Sequence, residues 1–247
     1  MTLGPRAPPA LVALPHAAPH VAPAAFQAML LRAGQTPAEG ATVLLDVRNV
    51  YETRVGAFAA PGVATVQPRT RAFADFPAWV DGADARAALA GARTVLMYCT
   101  GGVRCERASS YLRSAMDAWG GPQPPPEVLQ LEGGITRYLH AFPSSSSKGE
   151  GLFRGVNFVF DERGCEGDAA PLGCCAACGG AAQGYRDRGR CPACRLLLLL
   201  CARCAAGDAP PPPLCELCCD GPRAPAAAAP RRRGRRRAPG PAALRAA

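Results

Sequence analysis

The chain has 247 residues, a formal net charge of +9, 26 prolines, 27 glycines and 13 cysteines. That length suits one or two domains, and the uneven spread of Pro and Gly leaves one α/β core of ordinary size, between about residues 24 and 164. The charge is local, with six positive charges in the run Arg231–Arg237, and the longest purely apolar run noted, Leu196–Leu200, is far short of the roughly 20 residues of a membrane-spanning helix, so a membrane role is not expected.

Residues 1–23 are Pro/Ala-rich and lack a charged start followed by an unbroken apolar block, so they read as a disordered arm rather than a leader. Eleven of the thirteen cysteines lie between Cys165 and Cys219, in repeated Cys-x-x-Cys pairs. Together these features point to a reducing compartment, with the cytoplasm as the expectation and an organelle or the nucleus left open.

Along the chain, Phe26–Arg32 reads as a short helix. Thr42–Val47 is a continuous apolar run interrupted only by Asp46, the signature of a buried parallel strand delivering a polar group at its end. Asp84–Ala90 reads as a helix and Thr94–Tyr98 as a second buried strand. A Gly-rich loop follows, then a helix from Cys105 or Glu106 to Ala118, whose apolar positions Ala108, Tyr111, Leu112, Ala115 and Met116 follow a 3.6-residue period. Gly120-Gly121-Pro122 stops it. Val128–Leu131 is a third strand, and Gly133-Gly134 turns into a helix over Ile135–Ala141. Ser144–Ser147 reads as a connector and Val156–Asp161 as an extra strand. The alternation predicts an α/β fold, a parallel sheet with helices on both faces. The divisions are an arm (1–23), the α/β domain (24–164), a Cys-rich zinc module (165–221) and a disordered basic tail (222–247).

In such sheets the site lies at the carboxyl ends of the strands, and Cys99 sits at one of them. The loop Cys99-Thr100-Gly101-Gly102-Val103-Arg104 joins a strand to a helix N-terminus, where backbone N–H groups and the helix dipole favour an anion. A thiolate at Cys99 is therefore expected. The chain has three histidines, His16, His20 and His140, two of them in the arm. A protease-like Cys–His pair is accordingly not expected, and backbone dipoles with Arg104 are left to activate the thiol. A phosphatase cradle has the form Cys-x5-Arg, whereas Cys99 to Arg104 is Cys-x4-Arg. The tighter ring suits a single sulfur atom on the cysteine better than a phosphate. Cys105 reads either as a thiol that resolves a Cys99 persulfide or sulfenate, or as a half-buried cysteine facing away; the second is the simpler expectation.

Four segments carry a family resemblance: LLDVRNVYE (Leu44–Glu52), YCTGGVRCERASSYL (Tyr98–Leu112), LEGGITRYL (Leu131–Leu139) and FVFDERG (Phe158–Gly164). Over roughly residues 24–220 the chain resembles the rhodanese-containing tRNA uridine hydroxylases and their eukaryotic rhodanese-like relatives. The resemblance implies a rhodanese fold with Cys99 reactive and, for the bacterial members, oxygen insertion at C5 of the wobble uridine of certain tRNAs. It also places Asp46, Arg48 and Glu52 in the family's framework, as a charge network supporting the loop.

In the Cys-rich segment, Cys175/Cys178, Cys191/Cys194, Cys201/Cys204 and Cys215/Cys218 each have the spacing that lets two thiolates share a tetrahedral Zn²⁺. Eight ligands would fill two closed structural sites, paired linearly or interleaved. One or two zinc ions are expected, and no organic cofactor. Cys174 and Cys219 are adjacent extras, and Cys165 looks unpaired. Leu196–Leu200 is the expected apolar contact with the α/β core. The arginine run reads as a solvated cationic tail, or else a phosphate grip or nuclear address.

The functional expectation is an enzyme that uses Cys99 for sulfur transfer through a persulfide or for a related tRNA modification. A tRNA uridine C5-hydroxylase, an oxidoreductase, is one alternative, and a non-catalytic adaptor is another. The expected partners are a sulfur donor and acceptor or tRNA, with a protein partner through the Cys-rich module also open.

Overall fold

The computed structural model describes residues 16–35, 41–120, 124–143, 151–159, 165–166, 172–185, 189–206 and 213–220. In chain order the α/β part contains β1 (His20–Val21), α1 (Pro23–Gln35), β2 (Ala41–Asp46), α2 (Val50–Thr53), β3 (Gly56–Phe58) and β4 (Ala64–Val66). There follow α3 (Phe76–Val80), α4 (Ala83–Ala88), β5 (Ala92–Tyr98), α5 (Val103–Trp119), β6 (Glu127–Leu131) and α6 (Gly134–Ala141). The last strands are β7 (Phe153–Gly155), β8 (Asn157–Phe158) and β9 (Cys165–Glu166).

Five strands form a parallel sheet in the order β1-β6-β5-β2-β4. Successive residues of a strand point to opposite faces, and here both faces are covered. Val43, Leu45, Val95 and Met97 meet Phe76, Val80, Leu89, Leu112 and Met116 on the side of α3, α4 and α5. Leu44, Leu96 and Leu131 meet Phe26 and Leu30 of α1 and Ile135 and Tyr138 of α6 on the other. The α/β class, with helices on both faces, is as expected from the strand–helix alternation.

Several expectations are corrected. Residues 16–23 are not a disordered arm. His20–Val21 pairs with β6, the Ala18 N–H donates to Ser109 Oγ at 2.9 Å, and Gln130 Nε2 donates to the Ala18 carbonyl at 2.7 Å. Pro23 then opens α1, a first-turn position that needs no N–H. Helix α5 begins at Val103, before the expected Cys105, because Gly102 with φ +88° makes the turn in one residue. Of the extra strand expected over Val156–Asp161, Asn157–Phe158 forms the two-residue β8, paired with β9; β7, antiparallel to β3, precedes it. Asp161, Ser144–Ser147, residues 1–15 and the basic tail lie outside the described residues. Among the described residues no helix is long and apolar enough to cross a membrane.

The Cys-rich part contains a hairpin of β10 (Gly173–Cys174) and β11 (Ala181–Ala182) and two single-turn helices, α7 (Ala202–Ala205) and α8 (Glu216–Cys219). It packs on α2, on Val55 just after it, and on Val156 and β8. Leu196 and Leu198 are buried with Val50 and half-buried Tyr51, and Leu199 with Val55, Val156 and Phe158. Tyr51, Phe158 and Tyr185 meet edge to face. The leucine run is therefore the apolar contact with the α/β core that its position suggested.

Candidate active site and metal centres

Three parallel strands converge on the site. β5 ends at Tyr98 and hands over to Cys99, β2 ends at Asp46, and β6 leads into the turn Gly133–Gly134. That turn braces the Cys99 loop from behind: the Ile135 N–H donates to the Cys99 carbonyl at 2.9 Å and the Thr136 N–H to the Thr100 carbonyl at 3.0 Å. Gly134 has φ +62°, and a Cβ there would lie 2.5 Å from the Cys99 carbonyl oxygen, so no larger residue fits.

Cys99 is 1% exposed, while Gly101 beside it is exposed and Val103 is 65% exposed, so the loop shows its backbone to solvent and keeps its sulfur inside. The Gly102 N–H donates to Cys99 Sγ at 3.2 Å. The Cys105 thiol and the backbone N–H groups of Arg104 and Cys105 also point to this sulfur. The Cys105 hydrogen bond is the largest influence on Cys99; with the Arg104 charge and the backbone amides it outweighs burial and lowers the thiol from 9.0 to about 6. A thiolate thus prevails at neutral pH. Two expectations change here. Cys105 is fully buried against Cys99 and does not face away, and burial together with the Cys99 charge pushes its own thiol well up. Activation also draws on that neighbouring thiol, beyond the backbone and Arg104.

Arg104 is spent mainly on bracing. Its Nη1 and Nη2 reach Glu52 Oε2 and Oε1 at 2.5 and 2.6 Å, and Nη2 reaches Thr100 Oγ1 at 2.9 Å. Thr100 Oγ1 also donates to Glu52 Oε1 at 3.1 Å, and Glu52 Oε2 accepts the Asn49 N–H at 3.1 Å. Glu52 is completely buried. A second buried pair lies behind it: Arg48 Nε and Nη2 meet the two Asp46 oxygens at 2.9 and 2.7 Å, and Nη2 also donates to the Gly56 carbonyl at 2.6 Å. Arg48 stacks over the Tyr98 ring at 5.4 Å. Asp46 with Arg48 and Glu52 with Arg104 therefore form two carboxylate–guanidinium pairs beneath the loop, fixing its shape.

The eight Cys-x-x-Cys sulfurs gather into two groups, Cys175/Cys178/Cys201/Cys204 and Cys191/Cys194/Cys215/Cys218, each with all sulfurs within 4.8 Å of one another. The pairing is interleaved, first pair with third and second with fourth. Tetrahedral zinc with bonds of about 2.3 Å requires sulfur separations near 3.8 Å; Cys178–Cys201 are 3.7 Å apart and Cys194–Cys215 3.5 Å. The donor set and spacing therefore fit a closed tetrahedral metal site twice. Cys174 and Cys219 are exposed and belong to neither group.

Residues that sequence reasoning did not single out tie this module to α2. Arg54 forms an ion pair with Glu216 and donates from Nη1 to the Leu197 carbonyl at 3.2 Å. Arg71 Nη2 donates to the Leu217 carbonyl at 2.9 Å, and Tyr185 Oη to the Tyr51 carbonyl at 2.6 Å. Nothing in the local sequence around Arg54 or Arg71 signals a partner more than a hundred residues away.

A family model described as Rhodanase C-terminal matches residues 154–220. Rhodanese-like domain-containing protein 6 of Arabidopsis thaliana is 40% identical over 206 residues, 82% of this chain and 32% of that protein. The tRNA uridine(34) hydroxylase of Mesorhizobium japonicum is 39% identical over 165 residues, 64% of this chain and 44% of its own. The chain resembles the rhodanese-containing tRNA uridine(34) hydroxylases and their plant relative. It spans less than half the length of either relative. A solved structure, Saccharomyces cerevisiae Ygr203w, described as a homolog of single-domain rhodanese and the Cdc25 phosphatase catalytic domain, aligns over 55% of this chain and 88% of its own, with 14% identity and a TM-score of 0.40. The match over residues 154–220 takes in most of the Cys-rich module, and the similarity to the Arabidopsis thaliana protein, over 82% of the chain, spans both Cys99 and most of this module.

Proposed function

We propose that this chain is a tRNA-modifying enzyme whose reacting atom is Cys99 Sγ, acting in C5 hydroxylation of uridine 34. The observation that carries the reading is the loop itself: a thiolate held by converging N–H groups at the carboxyl end of a parallel sheet, inside a CTGGVRCE segment of the kind on which the resemblance rests. A thiolate in this setting is a nucleophile toward a single electrophilic atom, and the surrounding donors stabilise the anion before and after transfer. The relatives' activity on tRNA supports that substrate class for this chain.

Sulfur transfer through a Cys99 persulfide is the second reading, favoured by the Cys-x4-Arg spacing, which makes the ring small. Each four-cysteine group holds one Zn²⁺ in a structural role, with Cys175, Cys178, Cys201 and Cys204 binding one ion and Cys191, Cys194, Cys215 and Cys218 the other. When bound, zinc supplies cross-linking of a segment too short to fold on its own core, and no reaction step is assigned to it.

The test is nucleoside mass spectrometry of tRNA from cells carrying wild type or Cys99→Ser, beside a thiosulfate assay of both proteins. Loss of 5-hydroxyuridine in the variant is the expected result. Loss of thiosulfate activity alone would move the reading to sulfur transfer, and loss of neither would leave a binding adaptor.

A further inference from the structure

Cys105 is the nucleophilic group that the site reading leaves without a chemical part. It lies in the first turn of α5, is completely buried, and its thiol donates to Cys99 Sγ. Both cysteines are free. Gly101 and Val103 of the loop are open to solvent, while Cys99 and Cys105 are buried together in one cluster with Ala108 and Leu112. The Cys105 thiol already lies in hydrogen-bonding contact with Cys99 Sγ, so a group taken up by that sulfur has a partner thiol beside it.

We infer that Cys105 is a resolving cysteine, which closes a Cys99–Cys105 disulfide after a hydroperoxide has oxidised Cys99. This rests on the reading of Cys99 as the reactive thiolate. In the first step the Cys99 thiolate attacks the terminal peroxide oxygen and the O–O bond breaks; Cys99 keeps that oxygen and its proton as a sulfenic acid, and the departing oxyanion takes a proton from solvent to leave as the alcohol, or as water when the peroxide is hydrogen peroxide. In the second, Cys105 sulfur attacks Cys99 Sγ, the S–O bond breaks, the departing hydroxide takes the Cys105 proton, and water leaves. The two cysteines have then given up two electrons. A dithiol reductant reopens the bond by exchange. The disulfide shields Cys99 from irreversible oxidation to sulfinic acid and switches the site off until it is reduced.

The chain offers a direct readout, because Arg93, Arg104 and Arg107 place the two cysteines in separate tryptic peptides, Thr94–Arg104 and Cys105–Arg107. The full-length protein is treated with hydrogen peroxide in the presence of dimedone, which traps sulfenic acid, and digested without reductant. Wild type is expected to yield the two peptides cross-linked, reversibly by dithiothreitol, with little adduct. In Cys105→Ser the cross-link disappears and the dimedone adduct on Thr94–Arg104 rises by about tenfold or more, since the sulfenic acid has no partner thiol. Wild type that accumulates the adduct with no cross-link overturns the resolving role while leaving Cys99 reactive. A Cys99 that takes up neither peroxide nor iodoacetamide, in wild type and in Cys105→Ser alike, overturns the thiolate reading and the resolving role with it.

Discussion

Glu52 decides how the loop around Cys99 keeps its shape. It accepts from the Arg104 guanidinium, from Thr100 Oγ1 and from the Asn49 N–H, and it is completely buried. Removing one partner of such a pair leaves an uncompensated buried charge. Glu52→Gln keeps the shape of the side chain but strands Arg104, and is expected to destabilise the protein by roughly 3–5 kcal/mol in denaturant unfolding. A loss under about 1 kcal/mol would mean that the pair is solvated and does not brace the loop. Asp46→Asn should act in the same direction, because Arg48 is as deeply buried and has the Asp46 carboxylate as its ion-pair partner. The residue scale is also where sequence reasoning reached furthest. Cys99 as the candidate nucleophile is read from its place at a strand end, and Asp46, Arg48 and Glu52 as a supporting network from the family resemblance. The Cys99–Cys105 hydrogen bond is not, because the direction of a side chain in the first turn of a helix depends on where the helix starts, and Gly102 starts it earlier than expected.

At the scale of elements, α2 is the hinge between the two parts. It is a single turn of four residues, too short to hold itself as a helix. Its inner side carries Glu52 to the loop, and Val50 and Tyr51 face the leucines and cysteines of the Cys-rich module. Removing metal with a chelator is expected to release two zinc ions per chain, seen by native mass spectrometry. It should also raise hydrogen exchange in Val50–Thr53, since the segment covering them loses its cross-links. Unchanged exchange there, with all metal gone, would contradict a structural role for the module. Leu199→Ala opens a cavity among Val55, Val156 and Phe158 and should cost about 2–5 kcal/mol by thermal or denaturant unfolding. The elements missed in the sequence are those with little local signal. β1 is two residues long and lies in a Pro/Ala-rich stretch, where its partners are the distant β6, Ser109 and Gln130. The antiparallel β3–β7 pair is three residues long, below the length at which alternation becomes visible. Linear and interleaved pairing of the cysteines share identical spacings, so the arrangement of the two metal groups was settled only by the fold.

For the whole molecule, the parallel sheet explains how Cys99 comes to lie among converging backbone N–H groups. β5 delivers Cys99 to the carboxyl edge, β2 brings the charge network and β6 brings the Gly133–Gly134 turn, so three strands meet at one sulfur. The Cys-rich part packs against α2, and its cysteines gather into their own two groups away from that sulfur. This division is consistent with the reactive loop and the cysteine pairs appearing together in one resemblance. The account as a whole rests on Cys99 being an anion at neutral pH, and the rate of its alkylation by iodoacetamide against pH measures that most directly, with peptide mapping to separate Cys99 from the other thiols. A group lowered to about 6 keeps its full thiolate population from pH 7 upward and loses it as pH falls through 6. The expected profile is flat between pH 7 and 9 and drops with a midpoint near 6. A rate that keeps climbing to a midpoint near 9, as for an ordinary cysteine, would contradict it.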